Sequence, residues 1–252
     1  MKVSSELQSA IDGLYEVFSR YPLPEFTDPC LHCHTLEDEA KLHAKPLREL
    51  GEENLRDYMC DALSTWGDVD TFKHLLPRLF ELYVSTPNAN YKLIDPEIMF
   101  NKLRYGKWRT WSSEEQAAVE CFLYAVWKQI LDDPPLELQI DDMEAWLCTI
   151  AQCEDDLDPY LNKWIEDNRV SANLALSSLL LTSAVVQAQD RGRNAFWETR
   201  DEQYAQLKHW ARSEAVAKKL LTAEIECNDP ELASEFAAAR AICDPESEES
   251  QR

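Results

Sequence analysis

The sequence predicts an all-α protein of about twelve short helices, packed either as an irregular bundle or as a curved stack of antiparallel helical hairpins. Three observations carry that prediction. Apolar residues recur at i, i+3, i+4 and i+7 along almost the whole chain, the spacing of one helix face. Glycine is scarce, with 5 in 252 residues, and no Asn-Gly or paired-glycine turn separates alternating apolar runs as a β-hairpin requires. Helix start signals recur, because an Asx, Ser or Thr ahead of a first turn accepts its otherwise unpaired N–H groups.

In order, the expected helices cover 5–20, 36–44, 52–66, 70–85, 96–104, 114–131, 141–153, 159–168, 172–188, 194–211, 213–227 and 230–242. The first is amphipathic, and the second follows Thr35 with Asp38, a capping-box pattern. The third has the stripe Leu55, Tyr58, Met59, Ala62, Leu63 and Trp66, and the fourth has Phe72, Leu75, Leu76, Leu79, Phe80 and Tyr83. Gly67-Asp68 joins these two, a connection short enough for a helical hairpin. Pro77 lacks a backbone N–H and crowds the preceding turn, so a kink or a helix restart is expected there. Asp95-Pro96, Asp158-Pro159 and Asp229-Pro230 each place an N-cap acid before a proline suited to the first helical position. Ser113 with Gln116 reads as a capping box ahead of the stripe Ala118, Cys121, Phe122, Ala125, Val126 and Ile130. Residues 170–189 carry no charge, yet 8 of these 20 are polar. That suits a central helix buried on all sides better than a membrane span.

Composition narrows the function. There are 25 basic and 47 acidic residues, a net charge of −22. The excess is uneven: residues 1–111 hold 13 basic and 18 acidic side chains, and residues 112–252 hold 12 and 29. A single helical domain is expected over 1–243, with a candidate subdivision at Asp132-Asp133-Pro134-Pro135 and a disordered acidic tail over 244–252. No two glycines lie closer than Gly51 and Gly67, so neither a P-loop nor a dinucleotide fingerprint is available. Met1–Glu6 lacks an apolar signal region, and a cytoplasmic protein with no membrane partner is expected. Of the eight cysteines, Cys60, Cys121 and Cys148 lie inside apolar helical patterns and are expected to be buried.

Three groups of residues are candidates for chemistry. The densest set of metal-ligand types is Cys30-Leu31-His32-Cys33-His34, with His43 one helix further on. A Cys-x-x-Cys turn brings two sulfurs to a common point, and zinc accepts mixed sulfur and imidazole ligands. The candidate set is Cys30, Cys33, His34 and His43, with His32, Cys60 or Asp28 as substitutes, and the expected cofactor is either one structural zinc or none. A redox-active pair, or two thiols of no special chemistry beside solvated histidines, are the alternatives. Glu39 and His43 read as a surface i, i+4 pair. The second group is the basic, aromatic stretch from Lys102 to Trp111, with Lys102, Arg104, Lys107, Trp108, Arg109 and Trp111 as candidate partner-binding residues. Trp108 and Trp111 fall outside the clearest stripes and are the candidates for exposure, as aromatics at interfaces often are; the alternative is a helix C-terminus whose cations favour its dipole, followed by tryptophans that anchor the connection to the next helix. Nucleic acid is an unfavourable partner for a chain of net charge −22. The third group is His74 and Arg78 with Asp68 and Asp70, the residues around which an enzyme site assembled from separated helices would form.

The runs Lys45-Pro46-Leu47-Arg48-Glu49-Leu50, Thr65-Trp66-Gly67-Asp68 and His74-Leu75-Leu76-Pro77-Arg78, with Tyr21-Pro22 ahead of Cys30 and Cys33, resemble a group of uncharacterised bacterial proteins. The likeness spans about residues 15–130. It implies a bacterial cytoplasmic source and an all-helical fold, and it brings no activity with it. The expected function is therefore that of a non-enzymatic acidic helical protein that binds another protein, in one version an immunity-type or neutralising partner of a basic protein. An enzyme using His74, Arg78, Asp68 and Asp70, and a zinc-dependent adaptor built on Cys30 and Cys33, are the alternatives.

Overall fold

The computed structural model describes residues 3–85, 95–132, 142–183 and 194–243. Among these residues lie twelve α-helices: α1 (Ser5–Phe18), α2 (Leu36–Leu42), α3 (Glu52–Asp61), α4 (Val69–Ser85), α5 (Pro96–Tyr105), α6 (Ser113–Asp132), α7 (Asp142–Cys153), α8 (Asp158–Glu166), α9 (Val170–Thr182), α10 (Asp201–Ala211), α11 (Glu214–Glu226) and α12 (Pro230–Ile242). Short 3-10 turns lie at Leu47–Glu49, Trp108–Thr110 and Ala195–Thr199. Among the described residues there is no strand, and β pairing is confined to isolated bridges of Trp66 with Pro29 and Ala62. The fold is all-α, as the periodicity predicts. No helix among the described residues is long and apolar enough to cross a membrane.

The chain forms two compact units, Met1–Val126 and Trp127–Arg252, and the division falls within α6. Apart from Asp132, the subdivision expected at 132–135 lies outside the described residues, as does the acidic tail over 244–252.

In the first unit α1 packs on α4, α2 on α3, and α3 on both α4 and α5. Phe80 of α4 stacks against both Phe100 of α5 and Phe122 of α6, with ring centroids 5.1 and 5.0 Å away, and those two rings lie 6.5 Å from each other. Offset aromatic stacks of this kind add about 1 kcal/mol beyond the area they bury. α4 runs through Pro77 without restarting. α3, expected to reach residue 66, ends at Asp61. Two side chains explain the early stop. Lys102 of α5 donates to the carbonyls of Cys60 at 2.7 Å and Ala62 at 2.9 Å, satisfying acceptors that another helical turn would have used. Trp66 is pulled off the helical path into the bonds described below.

In the second unit α9 packs on α7, α11 and α12, and α11 and α12 form a hairpin. Trp164 lies edge-on to Trp127 and tilted against Trp210, each 5.6 Å away, while its Nε1–H donates to the Ala172 carbonyl at 3.0 Å. The segment expected as one helix over 194–211 is a 3-10 turn followed by α10. Arg200 at their junction is buried and donates to the Glu154 carbonyl and, at 2.8 Å, to Asp155.

Of the start signals, Thr35 and Asp38 form the full capping box, and Asp229 accepts from the N–H groups of Glu231 and Leu232. The box expected on Ser113 is displaced by one residue: Ser112 N–H donates to Glu115 at 3.0 Å and Glu115 N–H to the Ser112 hydroxyl at 3.4 Å. Two expected core cysteines need correction. Cys60 and Cys121 are exposed, and only Cys148 of the three is buried. On α6 the inward face is set by Val119, Phe122, Leu123 and Val126, which rotates Cys121 outward.

Candidate functional site

The most constrained feature of the first unit is a clasp between the loop before α2 and the loop after α3. Thr27, Glu39 and Trp66 meet at its centre, all buried. Thr27 donates to Glu39 through its backbone N–H at 2.7 Å and also through its hydroxyl, which in turn accepts from Trp66 Nε1–H at 2.6 Å. The same indole N–H lies 3.2 Å from Glu39, and His43 Nε2 lies 3.1 Å from the carboxylate. Burial pushes the Glu39 carboxyl up, but the hydrogen bonds from Thr27, His43 and Trp66 outweigh it and hold the group below its ordinary range. Glu39 is therefore a buried anion at neutral pH, not a member of a surface pair. Cys30 N–H donates to the Thr65 carbonyl at 2.8 Å and closes the clasp outside this network. Asp28, Leu63 and Gly67 all take left-handed backbone, with φ of 56°, 64° and 72°. Asp tolerates this region better than most residues, whereas for Leu63 it costs about 1–2 kcal/mol. Such strain persists only where surrounding bonds over-determine the geometry.

Cys30 and Cys33 project from this clasp and are exposed. The turn between them is closed by the N–H groups of Cys33 and His34, both donating to the Cys30 carbonyl at 2.9 Å. The nearby N–H groups of His32 and Cys33 and the Cys33 side chain hold the Cys30 thiol below its ordinary pKa, and Cys33 is pushed up by the Cys30 side chain and its charge and, more weakly, by Asp61. The two histidines of the expected zinc set are turned elsewhere. His34 is buried against the Trp66 ring at 4.4 Å, with Nε2 3.3 Å from Asp61 Oδ2 but poorly aligned for a hydrogen bond. His43 faces Glu39. Among the described residues no group of three Cys, His, Asp or Glu side chains is arranged to hold a metal ion.

The stretch from Lys102 to Trp111 is divided by the structure. Arg104, Lys107 and Arg109 are exposed, whereas Lys102 is buried in its α3 cap. Contrary to the expected exposure, Trp108 and Trp111 are only 1% and 8% exposed. Lys107 takes left-handed backbone at φ 52° and the Trp108–Thr110 turn follows, which directs both indoles inward. Trp111 donates to the Gly106 carbonyl at 2.8 Å and packs edge-on against Phe18. Over its face lies the Lys73 ammonium, itself buried and paired with Glu115 at 3.1 Å.

Asp68, His74 and Arg78 are each tied to a different partner. Asp68 accepts from Thr71 N–H at 2.8 Å as the cap of α4, and His74 Nδ1 lies 2.7 Å from the Tyr21 carbonyl. Arg78 donates to the Leu50 carbonyl and to Glu81, both at 2.7 Å. Asp70 is exposed.

Sequence reasoning did not single out the exposed apolar side chains flanking the cysteine turn. Phe26, Leu31 and Leu36 are 46%, 62% and 65% exposed. Their signal was present: they are large apolar residues outside any helical stripe, in a segment, residues 21–40, that holds five acids and no Lys or Arg. In the second unit, a cleft of about 670 Å³ between α11 and α12 has Leu221 and Cys243 in its lining and Arg212, Lys218 and Arg240 among its charges. Arg240 is held by Glu224 at 3.0 Å.

Compared with known proteins, the chain matches no family model, no curated protein and no solved structure.

Proposed function

We propose that this is a non-enzymatic helical protein that binds another protein through the Phe26–Leu36 segment, and that the partner presents a surface both basic and apolar. The observation that carries the reading is the exposure of Phe26 and Leu31 on the loop ahead of α2 and of Leu36 at the first residue of that helix, on a backbone fixed by the Thr27–Glu39–Trp66 clasp. Single exposed apolar residues are ordinary on protein surfaces, but three in eleven residues on a rigid segment form a candidate binding patch. A segment already held in one conformation loses little entropy on binding. The charge argument gives the sign of the partner. Glu25, Asp28 and Glu37 are exposed around the patch, the segment has no cation, and the whole chain carries −22. Such a surface speeds encounter with a basic protein and repels acidic ones. A neutralising partner of a basic protein is the narrower form of the same proposal.

The test is affinity capture by the wild-type chain and by a Phe26→Ser/Leu31→Ser/Leu36→Ser variant, at about 0.05 and 0.3 M salt. The wild type should retain a stoichiometric basic protein more strongly at low salt, and the variant should lose at least about tenfold in affinity with an unchanged helical circular dichroism spectrum. Equal retention by the folded variant, or no stoichiometric partner at either salt, would overturn the reading.

A further inference from the structure

Cys30 and Cys33 are exposed, sit at the two ends of one closed turn, and have no other cysteine in reach of that turn in sequence. Cys60 and Cys121 are also exposed, but on helices where neither has a second cysteine in its own turn. Two backbone bonds close the turn, from Cys33 N–H and His34 N–H to the Cys30 carbonyl, each at 2.9 Å. The two cysteines are three residues apart across this closed turn, a spacing that lets one disulfide span it. The clasp behind the turn fixes its position, through Cys30 N–H on the Thr65 carbonyl and His34 on the Trp66 ring.

We propose that Cys30 and Cys33 form a reversible thiol–disulfide exchange site whose oxidant is a low-molecular-weight disulfide of the glutathione type. Cys30 is the attacking residue: it opens the closed, exposed turn, and the neighbouring backbone N–H groups of His32 and Cys33 hold its thiol below the ordinary cysteine pKa. Its thiolate displaces one half of the small disulfide: a bond forms between the Cys30 sulfur and one sulfur of the oxidant, the oxidant's own S–S bond breaks, and one small thiolate leaves. The Cys33 thiol gives up its proton to that departing thiolate or to water, attacks the Cys30 sulfur, and releases the second small thiolate. Two protein thiols are thereby oxidised to one disulfide, and the small disulfide is reduced to two thiols. Two electrons and two protons pass between them. The reverse sequence restores the dithiol. Cys33, whose thiol is held in the protonated form by the Cys30 charge and Asp61, is suited to the resolving role, since it acts only after Cys30 has lost its charge to the mixed disulfide.

The experiment uses the reduced full-length chain, an excess of oxidised glutathione, quenching with an alkylating agent and peptide mass mapping. The expected result is loss of two hydrogens from the peptide carrying Cys30 and Cys33, at least about tenfold faster than glutathione addition at Cys60 or Cys121, and reversed by dithiothreitol. The Cys33→Ser variant should stop at a glutathione adduct on Cys30, and the Cys30→Ser variant should take up glutathione at Cys33 about tenfold more slowly than that. Both side chains are exposed, so both variants should keep the wild-type helical spectrum. Failure of the wild type to form the intramolecular disulfide, or reaction of Cys30 in Cys33→Ser no faster than that of Cys121, would overturn the proposal. No partner protein enters this assay, so its failure leaves the binding reading untouched.

Discussion

Glu39 shows how much a single side chain's environment decides. It lies four residues before His43, a spacing that marks a helix-surface pair, yet the chain buries it beneath the 27–35 loop and surrounds it with donors from Thr27, Trp66 and His43. The i, i+4 relation was readable in sequence. The burial was not, because it depends on Thr27 and Trp66, 12 and 27 residues away from Glu39. Trp108 and Trp111 give the converse case: both lie outside the clear stripes, and both are core residues because a left-handed Lys107 turns the chain. A pH dependence follows from Glu39 and from Glu115, whose carboxyl is likewise pushed up by burial but pulled lower still by Tyr21, Lys73 and the Ser112 N–H. Both folded-state values lie below the ordinary 4.5. The stability these anions contribute is therefore full above that value and is lost as pH falls through it toward the lower folded values. Urea unfolding between pH 7 and pH 3 should show this loss, and Glu39→Gln should be less stable at pH 7 by about 1–3 kcal/mol and show a flatter acid limb.

At the level of elements, buried cations cap helix ends in both units. Lys102 satisfies the Cys60 and Ala62 carbonyls at the end of α3, and Lys219 of α11 does the same for the Ile165 and Asp167 carbonyls at the end of α8. Burial pulls both ammonium groups below their ordinary pKa, with Asp61 and Asp167 respectively drawing them back up. Such caps come from distant helices and leave no local pattern, which is why the end of α3 was misplaced while the start of α2 was not. Thr35 and Asp38 are three residues apart, and a capping box needs nothing further away. The same locality explains the one-residue slip at α6, where Ser112 and Ser113 offer equivalent hydroxyls and Glu115 selects between them. Lys102→Met should keep the volume of the stem but leave the Cys60 and Ala62 carbonyls unpaired, lowering stability by about 1–3 kcal/mol in urea unfolding. An unchanged midpoint would mean that water satisfies those carbonyls as well as the ammonium does.

For the whole molecule, the helical class was legible because period-3.6 patterning is distributed over the chain and survives errors at single ends. Chain-wide charge was equally plain. What the charge could not locate is the surface used, since acidic residues are spread over both units and the basic stretch chosen from sequence is half internal. The exposed apolar residues Phe26, Leu31 and Leu36 were hidden for a physical reason: exposure is a property of the finished fold and leaves no local pattern in the sequence. The most direct measurement of the central claim is amide hydrogen exchange on the full chain with and without the captured partner. Slowed exchange should be concentrated in residues 25–37, with the rest of the first unit and the cleft between α11 and α12 unchanged. Protection at that cleft or along Arg104–Arg109, with none at 25–37, would contradict it.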